Sequence, residues 1–167
     1  MSTPGPFDPY DLGPVRLRNR IIKAATFEGL MPRGSVSQEL IDFHVGVARG
    51  GVALTTVAYC AVSKGGRVNR HSLVFTDELV PELVRLTDAV HAEGAAISAQ
   101  LGHSGLVAQA QSKKHPSMAP SARFSAPAKG RVKAATPADL APVPAVFARA
   151  TPVALAAGFD AVAIDLG

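Results

Sequence analysis

Ala95–Gly105 reads AAISAQLGHSG. Its first half, Ala95–Ala99, is a short apolar run bounded upstream by Gly94, the pattern of a buried strand. Its second half sets a carboxamide, Gln100, and an imidazole, His103, at that strand's carboxyl end among turn glycines. In parallel α/β proteins ligands bind at this end. The Gln100 amide offers two donors and one acceptor oxygen, enough to grip a flat heterocycle along its edge. Plainer roles also fit: Gln100 can cap a loop, and His103 can bond a backbone carbonyl.

Other strands carry the same punctuation. Gly50-Gly51 precedes Val52–Val57 (VALTTV), a β-branched run followed by Ala58-Tyr59-Cys60, and Gly158 precedes Ala161–Leu166. Arg20–Thr26 (RIIKAAT) is the first strand candidate, with Ile21 and Ile22 expected in the core and Thr26-Phe27-Glu28-Gly29 at its carboxyl end. Between the strands lie helical stretches. Ser35–Gly50 puts Leu40, Ile41, His44, Val47 and Ala48 on one face, with Ser35 or Ser37 as its cap. His44 is expected to be a satisfied core or edge histidine. Asp77 is expected to cap the next helix, with Pro81 in its first turns and Leu79, Leu83, Leu86 and Val90 in one stripe. Thr136-Pro137-Ala138-Asp139 reads as a further helix start. Pro142, Pro144 and Pro152 then interrupt the helix, and an interior proline costs about 3 kcal/mol, so a broken element is expected. Strand and helix alternate, which argues a parallel α/β fold with four strands: half of a (β/α)8 barrel or a small open sheet.

The connecting segments are less regular. Residues 1–14, rich in Pro and Gly, read as an extended lead-in, and Val15–Arg20 as a small hairpin or cap. Lys64-Gly65-Gly66-Arg67 is glycine-rich and basic, but it lacks P-loop spacing and opens no helix, so it reads as an ordinary loop. Leu106–Thr136 is long, polar and basic, a length that usually marks a functional or disordered loop.

Composition sets the outer bounds. The chain has 167 residues, 47% hydrophobic and 18% charged, enough for one globular domain with a real core. Cys60 is the single cysteine, so no intramolecular disulfide forms, which fits a reducing compartment. No apolar run reaches the ~18–20 residues that span a bilayer. Met1–Gly13 lacks the basic start and apolar centre of a signal peptide, so a cytoplasmic protein without a membrane partner is expected. Net charge is +4, with basic residues dispersed except from Lys113 to Lys133. Phe124 is the single Phe, Tyr or Trp among them, too few for an interleaved aromatic pattern, so a nucleic-acid partner is not expected, and attraction of an anionic ligand fits better. No residue set is read as a metal site.

Several stretches together resemble one family. Asn19–Thr26 resembles the first barrel strand of the Old Yellow Enzyme family of FMN-dependent NAD(P)H oxidoreductases. Gly50–Leu54 resembles its second strand, Gln100–Gly105 its third-strand QL-x-H-x-G signature, and His115–Ser121 its loop carrying "APS". Gly158–Val162 resembles the start of its fourth strand, and Thr56–Tyr59 leans toward the dienoyl-CoA-reductase-like branch. The matches occur in the family's order and cover nearly the whole chain.

The resemblance implies the amino-terminal half of a TIM (β/α)8 barrel, four parallel strands in a single partial FMN-binding domain over residues 1–167. It implies FMN across the carboxyl-terminal mouth, with Ala25 and Thr26 against the ring system, Tyr59 lining it and Gln100 on its pyrimidine edge. NAD(P)H would be the reductant, and an activated alkene (enone, enoate or dienoyl thioester) the small-molecule substrate. Two departures stand out. Asp165 takes the place where the family's fourth strand carries a substrate-binding His, and an ionised carboxylate cannot donate to a substrate carbonyl. The sequence also stops before strands five to eight, whose last loops hold the phosphate in barrels of this kind. Residues 1–167 alone are therefore expected to give little ene-reductase turnover and to seek self-association or a complementary half-barrel chain. A non-catalytic fragment, or a flavin- or partner-binding module, is the alternative.

Overall fold

The computed structural model of the protein describes residues 3–109 and 117–165. In chain order its elements begin with β1 (Tyr10–Leu12), β2 (Val15–Leu17), β3 (Ile22–Lys23), α1 (Gln38–Arg49), β4 (Leu54–Ala61), β5 (Leu73–Val74) and α2 (Val80–His91). They continue with β6 (Ala96–Gly102), β7 (Met118–Ala119), β8 (Arg123–Ser125), β9 (Gly130–Ala134), α3 (Pro137–Leu140), α4 (Val143–Ala156) and β10 (Ala161–Asp165).

The main sheet runs β10-β6-β4-β3, every neighbouring pair parallel, and β5 adds parallel to the carboxyl end of β4. Its four long-range strands are those read from the sequence, with shifted ends. Alternation along each strand makes two faces. Val57, Cys60, Ile97, Ala99 and Leu101 face the helices and form one core with Leu40, Leu83, Leu86, Val90 and Val153. The register pairs Thr56 with Ser98, Ser98 with Ala161, Gln100 with Ala163, and Gly102 with Asp165 on the other face. That face is small and polar. Parallel strands need long crossovers, and here α1, α2 and the α3–α4 pair supply them.

Local chemistry explains the helix starts. Ser37 Oγ accepts from Leu40 N at 3.1 Å and caps α1, whereas Ser35 Oγ donates to the Pro32 carbonyl at 2.7 Å. Thr136 and Asp139 form a reciprocal capping box on α3. Pro142 then separates α3 from α4, with Pro144 in the first turn of α4 and Pro152 inside it. The proline-broken element is therefore present. At the amino ends of the strands Arg18 donates to the carbonyls of Ala48, Val52 and Glu93, tying the ends of α1 and α2 to the start of β4. The Asp160 carboxylate accepts from Ile97 N and approaches His91 Nε2, both at 2.8 Å, which seats β10 on β6.

Four expectations need correction. Ile21 and Ile22 are not core: they are 38% and 46% exposed, because β3 is two residues long and pairs only with β4 among the described residues. β4 continues past Val57 to Ala61, every residue buried, since both its faces are covered. Asp77 does not cap α2. Thr76 stands before a 3-10 turn, Asp77–Leu79, which leads into α2 with Pro81 in its first turn. The long segment after β6 is not structureless: β7, β8 and β9 build a small sheet, with β9 between its partners. Lys113, His115, Pro116 and Leu166 lie outside the described residues.

The two serines before α1 separate by experiment. Ser37→Ala should cost about 1 kcal/mol in urea unfolding, the usual loss for an N-cap, and Ser35→Ala clearly less.

Candidate functional site

The carboxyl ends of β3, β4, β6 and β10 open on one mouth. Ala25 packs half-buried against Ala58 and Tyr59, while Thr26 is exposed, its hydroxyl 3.5 Å from the Ala24 carbonyl. Tyr59 is buried, and its hydroxyl donates to the Gly66 carbonyl at 3.3 Å. The ring lies flush on Gly102, where any Cβ would collide with it. Burial first, and then the charge of Asp165, push the Tyr59 phenol upward, so it stays a neutral donor. Gln100 is half-buried on the inner face, and its carboxamide has no hydrogen-bond partner among the described residues.

Tyr59, His103 and Asp165 come together on a cleft of about 420 Å³ whose wall includes Leu106, Met118 and Pro120. An adjoining cleft of about 560 Å³ shares His103, Met118 and Asp165 and runs on to Leu140 and Phe147. Ala25, Thr26 and Gln100 do not line either cleft. The register accounts for Gln100: it sits one inward position below Gly102, deeper in the sheet. His103 does support its loop, Nδ1 accepting from Gly105 N at 3.3 Å. Burial holds its pKa below the ordinary histidine value, so the ring is neutral at pH 7. With Nδ1 accepting, the ring proton sits on Nε2.

A second constellation was not read from the sequence. The Glu28 side chain is 1% exposed, and its Oε1 accepts from Lys23 Nζ at 2.6 Å. Its Oε2 accepts from Ala58 N at 3.2 Å, and His44 Nε2 lies 3.4 Å from Oε1. Lys23 Nζ also donates to the Thr56 carbonyl at 2.9 Å, and His44 Nδ1 meets Thr55 Oγ1 at 2.8 Å. Burial by itself raises the Glu28 pKa, but His44 and Lys23 outweigh it and hold the carboxyl below the usual carboxylate value. His44 is a core histidine as expected but satisfied only in part: Nδ1 is paired with Thr55, while the buried Nε2 makes no hydrogen bond among the described residues and has the Glu28 carboxylate 3.4 Å away. One signal existed in the sequence: Lys23 inside an otherwise apolar strand needs a buried partner.

Over residues 6–165 the chain matches the NADH:flavin oxidoreductase / NADH oxidase family. The chain belongs to that family. A 4,4'-dithiodibutanoate disulfide reductase of Rhodococcus erythropolis is 61% identical over 165 residues, 99% of this chain and 41% of that protein. A metal reductase of Desulforamulus reducens is 38% identical over 163 residues, 95% of this chain and 24% of that protein. Among solved structures, morphinone reductase superposes with a TM-score of 0.83 at 25% identity, covering 98% of this chain and 48% of that one. The old yellow enzyme homologue from Zymomonas mobilis gives a TM-score of 0.79 at 25% identity, covering 96% and 48%. The chain spans less than half the length of these relatives. Its sheet is the first part of the flavin oxidoreductase barrel, four parallel strands with their helices outside.

The flavin that this family implies can be tested against the residues present. The inner face at the strand ends carries the small side chains of Ala25 and Ala163, beside the Tyr59 ring that covers Gly102. The Gln100 carboxamide, half-buried and unpartnered, suits the polar edge of such a ring. The residues fit FMN. Among the described residues no cluster suits a metal ion, and no helix is long and apolar enough to cross a membrane.

Glu28 makes this region sensitive to acid. Because its folded pKa is lowered, its stabilisation is full above the unfolded carboxylate value and is lost as pH falls through the folded value. Glu28→Ala should cost about 3 kcal/mol in chemical unfolding at pH 7, since it removes the carboxylate partner of Lys23 and leaves Ala58 N unpaired. The variant should also lose the wild-type decline in stability below about pH 4.

Proposed function

We propose that this chain forms the flavin-facing half of an FMN-dependent oxidoreductase that takes hydride from NAD(P)H and reduces a small organic acceptor. The observation that carries the reading is the unpartnered Gln100 carboxamide on a small-residue inner face, in a chain of this family. FMN, when bound, supplies two-electron chemistry between nicotinamide and acceptor. The protein does the rest. Gln100 grips the ring edge, and Ala25 and Thr26 border it from β3. Tyr59, locked on Gly102 and Gly66, shapes the adjoining wall and stays protonated. Met118, Leu140 and Phe147 form an apolar flank on the adjoining cleft.

Two acceptor classes are in play. An activated alkene (enone, enoate or dienoyl thioester) needs a donor at its carbonyl oxygen, where charge builds during hydride addition. Asp165 faces the cleft at that place in the family's pattern, and an ionised carboxylate opposes that charge. An organic disulfide builds its charge on the departing sulfur instead of on a carbonyl oxygen, so its donor need not stand at the Asp165 position. It takes two electrons and two protons, from NAD(P)H and solvent, and its S–S bond breaks to give two thiols. The neutral His103 ring on the same cleft can donate to the sulfur that departs. The 61% identity to a disulfide reductase supports the same choice, so the disulfide is the favoured acceptor.

FMN titration followed by flavin fluorescence tests the cofactor half of the proposal. Saturable quenching is expected, weakened by about 1–3 kcal/mol in Gln100→Ala, the cost of an unmatched polar edge. No quenching at high micromolar protein removes the cofactor assignment. With NAD(P)H supplied, 4,4'-dithiodibutanoate should be consumed faster than 2-cyclohexenone, and the reverse ranking restores the alkene.

A further inference from the structure

A separate cleft of about 280 Å³ borders the same mouth, lined by Arg33, Lys64, Arg67, Ser72, Glu78 and Glu82 among its residues. The Lys64–Gly66 turn divides it from the Tyr59 cleft, since the Gly66 carbonyl accepts from both Tyr59 Oη and Ser104 N. Three cations converge here from two connections: Arg33 from the segment between β3 and α1, and Lys64 and Arg67 from the turn after β4. None of the three forms an ion pair among the described residues. The two carboxylates are otherwise engaged. Glu82 Oε2 accepts from Val36 N at 2.8 Å, and Glu78, out in solvent, turns to Thr76 and its own backbone, with Lys64 a minor influence.

The backbone builds this arrangement deliberately enough to matter. Arg33 has φ +57° and Gly34 φ +78°, and Arg33 N donates to His71 Nδ1 at 3.2 Å. A Cβ on Gly34 would stand 2.9 Å from the Ser72 carbonyl oxygen, so only glycine lets the two segments close and bring Arg33 to the cleft. The Gly66 amide is already taken by Ser63 Oγ at 3.1 Å. The turn contributes Lys64 and Arg67 to the cleft, with Arg67 Nε held on the Lys64 carbonyl at 3.2 Å.

We infer that this cleft binds a terminal oxyanion, a phosphate monoester or a carboxylate, on a ligand entering the barrel mouth. Two guanidinium forks and one ammonium match the planar and tetrahedral oxygens of those groups. The volume lies at the small end for ligand sites, which suits one charged end of a larger molecule. Two sources present that chemistry: the ribose phosphate of NADPH and a carboxylate of the acceptor. Only the choice between them rests on the proposed function.

Inorganic phosphate is the first probe, titrated into the protein at low ionic strength and followed by the amide resonances of Gly34, Gly66 and Ser72. Saturable shifts are expected at these residues. The affinity should fall about tenfold or more in Arg33→Gln and Arg67→Gln. Arg16→Gln, on the distant hairpin, should leave it unchanged. Thermal unfolding shows that each variant is folded. No saturable shift, or an equal loss in all three variants, overturns the site. NADPH binding more tightly than NADH, with the gap closed in Arg67→Gln, assigns the cofactor phosphate. Competition between phosphate and 4,4'-dithiodibutanoate, with NADPH and NADH equal, assigns a carboxylate. Failure of the flavin titration would remove the proposed function and leave the phosphate result standing.

Discussion

Burial of β4 on both faces is the constraint from which the rest follows. Its ladder with β6 runs from Leu54 to Ala61, and every residue of β4 is buried. A strand so placed can carry only apolar or mutually satisfied side chains. Thr56 meets that demand by pairing its hydroxyl with Ser98 at 2.7 Å, and Thr55 by meeting His44. The helix side is filled with Val57 and Cys60, and the inner side is kept small. Where the ladder ends, its neighbours' side chains need no longer fill a core, and Tyr59, His103 and Asp165 gather there.

Glu28 translates that constraint to the neighbouring strand. β3 has too few ladder bonds to hold its carboxyl end in place, being only two residues long. The carboxylate compensates by gripping Ala58 N on β4 and Lys23 on β3 at once, with His44 of α1 behind it. Ala25, between Lys23 and Glu28, is thereby held against Ala58 and Tyr59. A buried ion pair contributes little to net stability when compared with apolar packing, yet it is specific about geometry. Specific geometry is what the border of a binding site requires.

Much of this was legible in the sequence because the signals are local. The glycines that close each helix before a strand, the Thr136–Asp139 box and the interrupting prolines all act within a few residues. The gathering of Tyr59, His103 and Asp165 followed from strand ends in a parallel sheet, and the ordered family motifs gave their roles as expectations. What escaped was decided at long range. Ile22 looks like core, and only the sheet order puts it on an edge. The β7–β9 sheet is hidden because its strands are short and polar, with burial confined to Ala119, Ser125 and Val132. Glu28 reads as a loop acid until Lys23, His44 and Ala58 are brought around it. Arg33, Lys64 and Arg67 look dispersed along the chain and share a cleft only once folded.

Arg18 has a consequence of another kind. One guanidinium satisfies carbonyls at the ends of both α1 and α2 and at the entry to β4. Ala48 lies in the last turn of α1, Glu93 just beyond α2, and Val52 just before β4. Sharing a single side chain makes their fraying correlated: α1 cannot loosen its last turn freely without releasing α2 as well. The first two strand–helix units are thus expected to open together at the amino ends of the strands. Amide exchange at the carboxyl-terminal turns of α1 and α2 would carry the same free energy of opening, although more than thirty residues of chain separate them.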